Sequence, residues 1–175
     1  FDNLLIGLGA DRYDLVISSH GITPERQKAV DFSNPHYCSG AVILTKPGGP
    51  TTIAALKGKS ISAQLGTSYV PVIEKIFGKD SVKTFPDNAK ALQALQAGRV
   101  AAMVNEKFYS LAAQKSNPSA FVMGDVIYQE RIGMAVKKGN KSLLDAVNKA
   151  LATVQSDGEY AKLSKQWFGQ DVRCK

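Results

Sequence analysis

The chain has 175 residues, 44% of them hydrophobic and 21% charged, a balance that builds a packed core and excludes a disordered or fibrous protein. Its 22 lysines and arginines against 15 acidic residues give a net charge of +7. The longest apolar runs, Ala41 to Leu44 and Val100 to Val104, fall far short of the ~20 residues that cross a bilayer. The lysines are strewn singly or in pairs without an arginine-rich run, which weakens a nucleic-acid or anionic-membrane reading of the charge. The first residue is Phe1 with no signal-like segment before it, so the chain reads as processed or truncated. Its two cysteines, Cys38 and Cys174, are too few for a metal framework; they are two buried thiols or one long-range disulfide, which requires an oxidising compartment.

In chain order, Phe1 to Leu8 reads as an amphipathic helix with Asp2 as N-cap and Leu4, Leu5 and Leu8 on one face. Tyr13 to Ile17 is a buried strand ending in Ser18, Ser19, His20 and Gly21, and Thr23 with Pro24 starts a helix. Tyr37 to Thr45 is extended and long enough to cross between lobes; Pro47 to Pro50 is a turn. An α/β unit follows: strands Ser60 to Gln64, Val82 to Phe85, Val100 to Val104 and Phe121 to Met123 alternate with helices from Thr67, Asp87 and Glu106, predicting a small parallel sheet covered on both faces. Gly98 closes the second helix in a left-handed conformation. The chain returns through a strand Ile132 to Val136, a helix Lys141 to Gln155, and a last helix Glu159 to Trp167 with Tyr160, Leu163 and Trp167 inward. The fold class is therefore α/β, with a discontinuous lobe of residues 1–40 plus 127–175 around an inserted lobe of residues 41–126, and a hinge where the chain crosses.

No Gly-rich phosphate loop and no His or Cys pair at metal spacing occurs, and His20 and His36 lie far from any nucleophile motif. No cofactor is expected. What remains is polar residues at loop-to-helix junctions. Gly66, Thr67 and Ser68 follow a strand and offer amide groups to an anion; Arg26 sits where it can grip a carboxylate; Asn105 and Glu106 end a strand at its carboxyl edge. Each also fits an ordinary N-cap or a solvated surface residue.

The run Tyr13-Asp14-Leu15-Val16-Ile17, Gly21-Ile22-Thr23-Pro24-Glu25-Arg26 and Val30-Asp31-Phe32-Ser33-Asn34-Pro35 with Tyr37 resembles the signature of bacterial periplasmic amino-acid-binding proteins, extracellular solute-binding family 3. Gln64-Leu65-Gly66-Thr67, Ala91 to Val100, Gly158-Glu159-Tyr160 and Trp167-Phe168-Gly169 resemble its later landmarks. The resemblance implies a type II periplasmic-binding-protein fold, with two α/β lobes enclosing an amino acid. It also implies a role as the extracytoplasmic solute-binding component of an ABC importer that delivers a polar amino acid to an inner-membrane permease.

By position, Arg26 resembles the arginine that holds the ligand carboxylate, with Gly21 and Thr67 as backbone or hydroxyl donors to it. Ser19 resembles the residue whose carbonyl accepts from the α-ammonium; Phe1 resembles an aromatic packed on the ligand side chain; Gln64, Ser68 and Asn105 fall where selectivity is set. Glu106 stands where the family usually has Asp to pair with the ammonium. The resemblance also implies that Phe1 aligns well inside the first lobe, so that an N-terminal segment is absent and a second copy or a complementing segment is expected to cover the lobe. It places Cys38 at the start of the first crossing segment and Cys174 after the final helix, where a Cys38–Cys174 disulfide, if formed, would tie the C-terminal tail near the hinge. An enzyme of the same fold, similar to cyclohexadienyl dehydratase and using Glu106 as general acid, and a ligand-sensing receptor domain are the alternatives. The periplasm, or a lipid anchor outside the cytoplasmic membrane, is the expected location.

Overall fold

The computed structural model describes residues 1 and 3–174, so the expected Asp2 cap lies outside the described residues. Contacts divide the chain into two units. One is Ser39–Gln129 with Phe1, the other residues 3–38 with 130–174. No described helix is long and apolar enough to cross a membrane.

In the first unit, the C-terminal part of β3 (Tyr37–Thr45) and the N-terminal part of β7 (Val122–Lys137) lie beside β6 (Ala102–Glu106), β4 (Ile61–Gln64) and β5 (Val82–Phe85), in the order β7, β3, β6, β4, β5. The two helices α4 (Val70–Phe77) and α5 (Asn88–Gln96) each carry the chain from one strand to the next, and β4 accordingly runs parallel to β5 and β6. The expected parallel sheet is found for β4, β5 and β6, and β3, expected as an extended crossing segment, joins it by pairing with β6 antiparallel from Ala41–Glu106 to Thr45–Ala102. No crossover helix links these two strands directly, so nothing forces them into the same direction.

Both faces are covered, which explains why the strands read as unbroken apolar runs. Ala102 and Val104 pack with Ile43, Ile61, Ala63, Leu56 and Ile73 on one face, while Met103 packs with Leu44, Ala91, Ala94 and Leu95 on the other. Side chains alternate across a strand, so one strand feeds both cores. Buried Ser62 is one of the polar exceptions, and its hydroxyl donates to the Ala91 carbonyl at 3.0 Å. The Asp87 carboxylate caps α5 through the Lys90 N–H at 2.7 Å. At the other end Gly98 adopts φ +69, and the Gly98 and Arg99 N–H groups close back on Leu95 and Ala94. That closure holds the chain until Arg99, which is why β6 starts at Ala102 and not at the expected Val100.

In the second unit, β1 (Leu15–Gly21) and β2 (Val30–Phe32) each pair antiparallel with the C-terminal half of β7. The expected separate strands at Phe121 to Met123 and Ile132 to Val136 are one continuous β7; Gly124, Asp125 and the polar run at 129–131 look like breaks, yet Asp125 is tied in through its N–H to the Thr51 carbonyl at 2.8 Å. Leu8 of α1 (Leu4–Gly9) is fully buried with Val16, Val30 and Ala135, and Tyr13 donates to the Leu4 carbonyl at 2.6 Å. After α7 (Lys141–Ser156), helix α8 (Glu159–Phe168) turns a different face inward from the one expected. Leu163 and Trp167 are exposed, Trp167 by 74%, whereas Ser164 is buried and Tyr160 and Phe168 reach inward. The stripe Tyr160, Ser164, Phe168 is spaced i, i+4, i+8, and it wins because Tyr160 donates to the His36 carbonyl and Phe168 stacks on Tyr37 at 5.9 Å.

The cysteines are joined: Cys38 and Cys174 form a disulfide with Cα atoms 4.9 Å apart. The tail is also held by the Cys38 N–H donating to the Val172 carbonyl at 2.9 Å and by Arg173 lying over the Tyr160 ring. His36 sits edge-on to Tyr37 with ring centroids 5.0 Å apart, and burial pushes its pKa below the usual imidazole value, against a backbone hydrogen bond to Ile132 that raises it. A histidine kept neutral in the fold but free to charge when unfolded stabilises above the unfolded pKa of about 6.5, and that contribution is lost as pH falls through the folded value. Melting temperature is therefore expected to drop between about pH 7 and 5, and His36→Gln to flatten that drop. An unchanged slope in His36→Gln would refute the neutral-imidazole account.

Candidate functional site

In the second unit, Ser19, Gly21 and Arg26 come together at the end of β1 and the start of α2 (Pro24–Ala29). Thr23 is the N-cap of α2, its hydroxyl accepting the Arg26 N–H at 3.2 Å, and Pro24 pre-sets the first turn. Arg26 is thereby fixed at its backbone, and its Nη1 donates to the Gly21 carbonyl at 2.8 Å, which fixes the plane of the guanidinium. A planar fork held at both ends is pre-organised for a bidentate carboxylate. Ser19 has φ +56, a left-handed conformation rare for a residue with a Cβ, and the pairing of β1 with β7 shifts register between Val16 and His20. The bulge turns the Ser19 peptide out of the ladder, as bulges beside binding sites do. Strand β1 thus continues to Gly21, four residues beyond the expected Ile17.

In the first unit, Asn105 and Glu106 end β6 and share a network. Asn105 is fully buried; its Oδ1 accepts the Tyr69 hydroxyl at 2.7 Å and the Glu106 N–H at 2.8 Å, while its Nδ2 has no partner among the described residues. Glu106 caps α6 (Lys107–Ser116), accepting the Tyr109 N–H at 2.9 Å through Oε2, and its Oε1 accepts the Ser39 hydroxyl. Ser39 reaches it because Ala41 pairs with Glu106 and Ser39 lies two residues along on the same face of β3. The carboxylate is therefore held in place by two donors, and its remaining lone pairs suit a cation.

Gln64 ends β4, and Thr67 donates its hydroxyl to the Gln64 carbonyl at 2.8 Å. Gly66 takes φ +78 in the turn between them. Helix α4 starts at Val70, three residues later than expected, so Gly66, Thr67 and Ser68 form a turn ahead of the helix and not its first turn. Thr67 is buried and Ser68 half-buried. Phe1 is half-buried ahead of α1. Ser39 and Tyr69 were not anticipated as supports of Glu106 and Asn105; the one signal for Ser39 was a polar residue inside the apolar run of β3. No cluster of His, Cys, Asp or Glu among the described residues is arranged to hold a metal.

Arg26 tied to Thr23 and Gly21 in one unit, and the Asn105–Glu106 network in the other, are the polar arrangements that stand at strand ends of this α/β fold. Residues 1–170 match the family model of the bacterial extracellular solute-binding proteins, family 3, and the chain belongs to that family. It is 37% identical to the L-cystine-binding protein TcyJ of Escherichia coli K12, over 98% of this chain and 66% of TcyJ. It is 34% identical to the ABC transporter arginine-binding protein 1 of the same strain, over 97% of this chain and 72% of that protein. The structure of an ancestral arginine-binding protein bound to glutamine superimposes with a TM-score of 0.90 at 37% identity, covering 97% of this chain and 77% of that one. The α/β fold expected from the sequence, of the type II periplasmic-binding-protein kind, is the fold found. The chain spans about two thirds of the length of its cystine-binding relative.

Proposed function

We propose that this chain captures a polar amino acid outside the cytoplasm and delivers it to the membrane permease of an ABC importer. The observation that carries the reading is Arg26, fixed by Thr23 and Gly21 within a family whose relatives bind cystine, arginine and glutamine. In this reading Arg26 takes the α-carboxylate, with N–H groups of Gly21 and Thr67 completing its hydrogen bonds. The Thr67 hydroxyl is already given to Gln64, so its amide is the donor that counts. The Ser19 carbonyl and the Glu106 carboxylate take the α-ammonium, and Gln64, Ser68, Asn105 and Phe1 meet the side chain. A charged ligand must recover the hydrogen bonds it leaves in water, and paired ionic partners at each end do this. The disulfide suits the oxidising space outside the cytoplasmic membrane.

Binding without turnover is the activity expected, in keeping with the binding proteins of ABC transporters to which this chain is similar. A thermal-shift screen against the twenty amino acids and cystine tests the reading; a ligand at 100 times its Kd adds about 2.7 kcal/mol to the folded state. A shift confined to a few chemically related amino acids is the expected result. Shifts with none of them would refute it. Glu106→Gln keeps the cap acceptor and removes the charge, and it is expected to weaken the same ligand about tenfold or more, the scale of a lost charge-assisted bond. An unchanged affinity would leave Glu106 a helix cap alone.

A further inference from the structure

The lysines that look scattered in the sequence are gathered by the topology of residues 39–129. This unit holds ten lysines and arginines against five acidic residues, a net +5 of the chain's +7. Thr45 pairs with Ala102, so Lys46 leaves β3 where β6 begins, and its Nζ lies 3.4 Å from where a Cβ on Gly98 would stand. Ile61 pairs with both Ala102 and Val82, which brings Lys57 and Lys59, ahead of β4, between Arg99, ahead of β6, and Lys79, ahead of β5. Adjacent strands are about 4.8 Å apart, so the row β3, β6, β4, β5 presents about one cation per strand across its end. All five residues are exposed and none is in an ion pair among the described residues; Asp80 is the acidic residue in the row. Gln64, Asn105 and Glu106 stand at the opposite ends of β4 and β6.

We propose that this basic end of the unit is a docking surface for an anionic lipid bilayer. Like charges in an unpaired row repel one another, and a negative surface relieves that repulsion. Four of the five cations are lysines, point charges suited to a diffuse layer of headgroups, and no exposed aromatic side chain lies among them to stack on a nucleic-acid base. The sequence spacing concealed this because the five residues come from four different loops. The inference rests on charge and topology alone and stands apart from the amino-acid reading, whose residues in this unit, Gln64, Asn105 and Glu106, lie at the other strand ends.

Co-sedimentation with phosphatidylglycerol–phosphatidylcholine vesicles at about 50 mM salt tests it, with pure phosphatidylcholine vesicles as reference. The chain is expected to sediment with the anionic vesicles only. The variant Lys46→Glu/Lys59→Glu/Arg99→Glu is expected to bind them at least about a hundredfold more weakly, and Lys57→Gln/Lys59→Gln about thirtyfold more weakly. Lys28→Glu/Lys149→Glu/Lys162→Glu changes the net charge equally in the other unit and is expected to retain binding; melting temperatures establish that each variant is folded. No binding to anionic vesicles, equal losses in both triple variants, or tighter binding to duplex DNA than to vesicles at the same salt would each overturn the proposal.

Discussion

Arg26→Ala is expected to weaken binding of the preferred amino acid by at least ~2 kcal/mol, about thirtyfold, with little change in folding stability. The magnitude follows from what is removed. A carboxylate taken out of water needs replacement donors, and the guanidinium supplies a planar pair of them with a compensating charge. Stability is spared because α2 keeps its Thr23 hydroxyl cap and its Pro24; the cap bond runs to the backbone N–H of residue 26, which alanine retains. Arg26→Lys separates charge from geometry: an ammonium keeps the charge but lacks the fork, and it is expected to recover only part of the affinity. Equal affinities for wild type and Arg26→Ala, measured by calorimetry, would remove Arg26 from the site.

Replacing both cysteines by serine is expected to have the largest effect on stability. The Cys38–Cys174 bond spans 136 residues, and the loop-closure model gives ~4–5 kcal/mol for a loop of that size. What it fastens is specific: the tail lies against Tyr160 through Arg173 and against Cys38 through the Val172 carbonyl, and Tyr37, next to the bond, stacks on Phe168. Urea unfolding of the oxidised and doubly substituted chains measures the difference. A loss below about 1 kcal/mol would mean that the noncovalent contacts of the tail, or residual structure in the unfolded chain, already supply the constraint.

Much of the fold was legible because local signals and burial agree. Strands β3 and β5 begin and end at the expected residues, and Thr23-Pro24 and Asp87 start their helices where hydroxyl and carboxylate caps predict. The differences arise where tertiary pairing overrides local pattern. Polar residues at 129–131 did not end β7, because a strand between paired neighbours keeps its backbone bonds whatever its side chains are. Helix α8 carries two adjacent apolar stripes, and Tyr37 with His36, more than a hundred residues away, decided which turned inward.

The site divides in the same way. The Thr23 cap that fixes the backbone of Arg26 was readable because the cap and the turn are local. The roles of Ser39 toward Glu106 and of Tyr69 toward Asn105 depend on strand register and on side chains meeting across the unit, which no local pattern encodes. The Ser19 bulge was hidden too, since a left-handed serine leaves no mark in composition.

The most direct test of α-amino-acid recognition through Arg26 is a calorimetric pair: titration of the protein with arginine, glutamine and cystine, and with the α-carboxamide of whichever binds tightest. The account predicts one site per chain for the free amino acid and a loss of about thirtyfold or more for its carboxamide, because the amide offers the guanidinium no charge and a single acceptor. Equal binding of acid and amide, or no binding of any free amino acid, would contradict it.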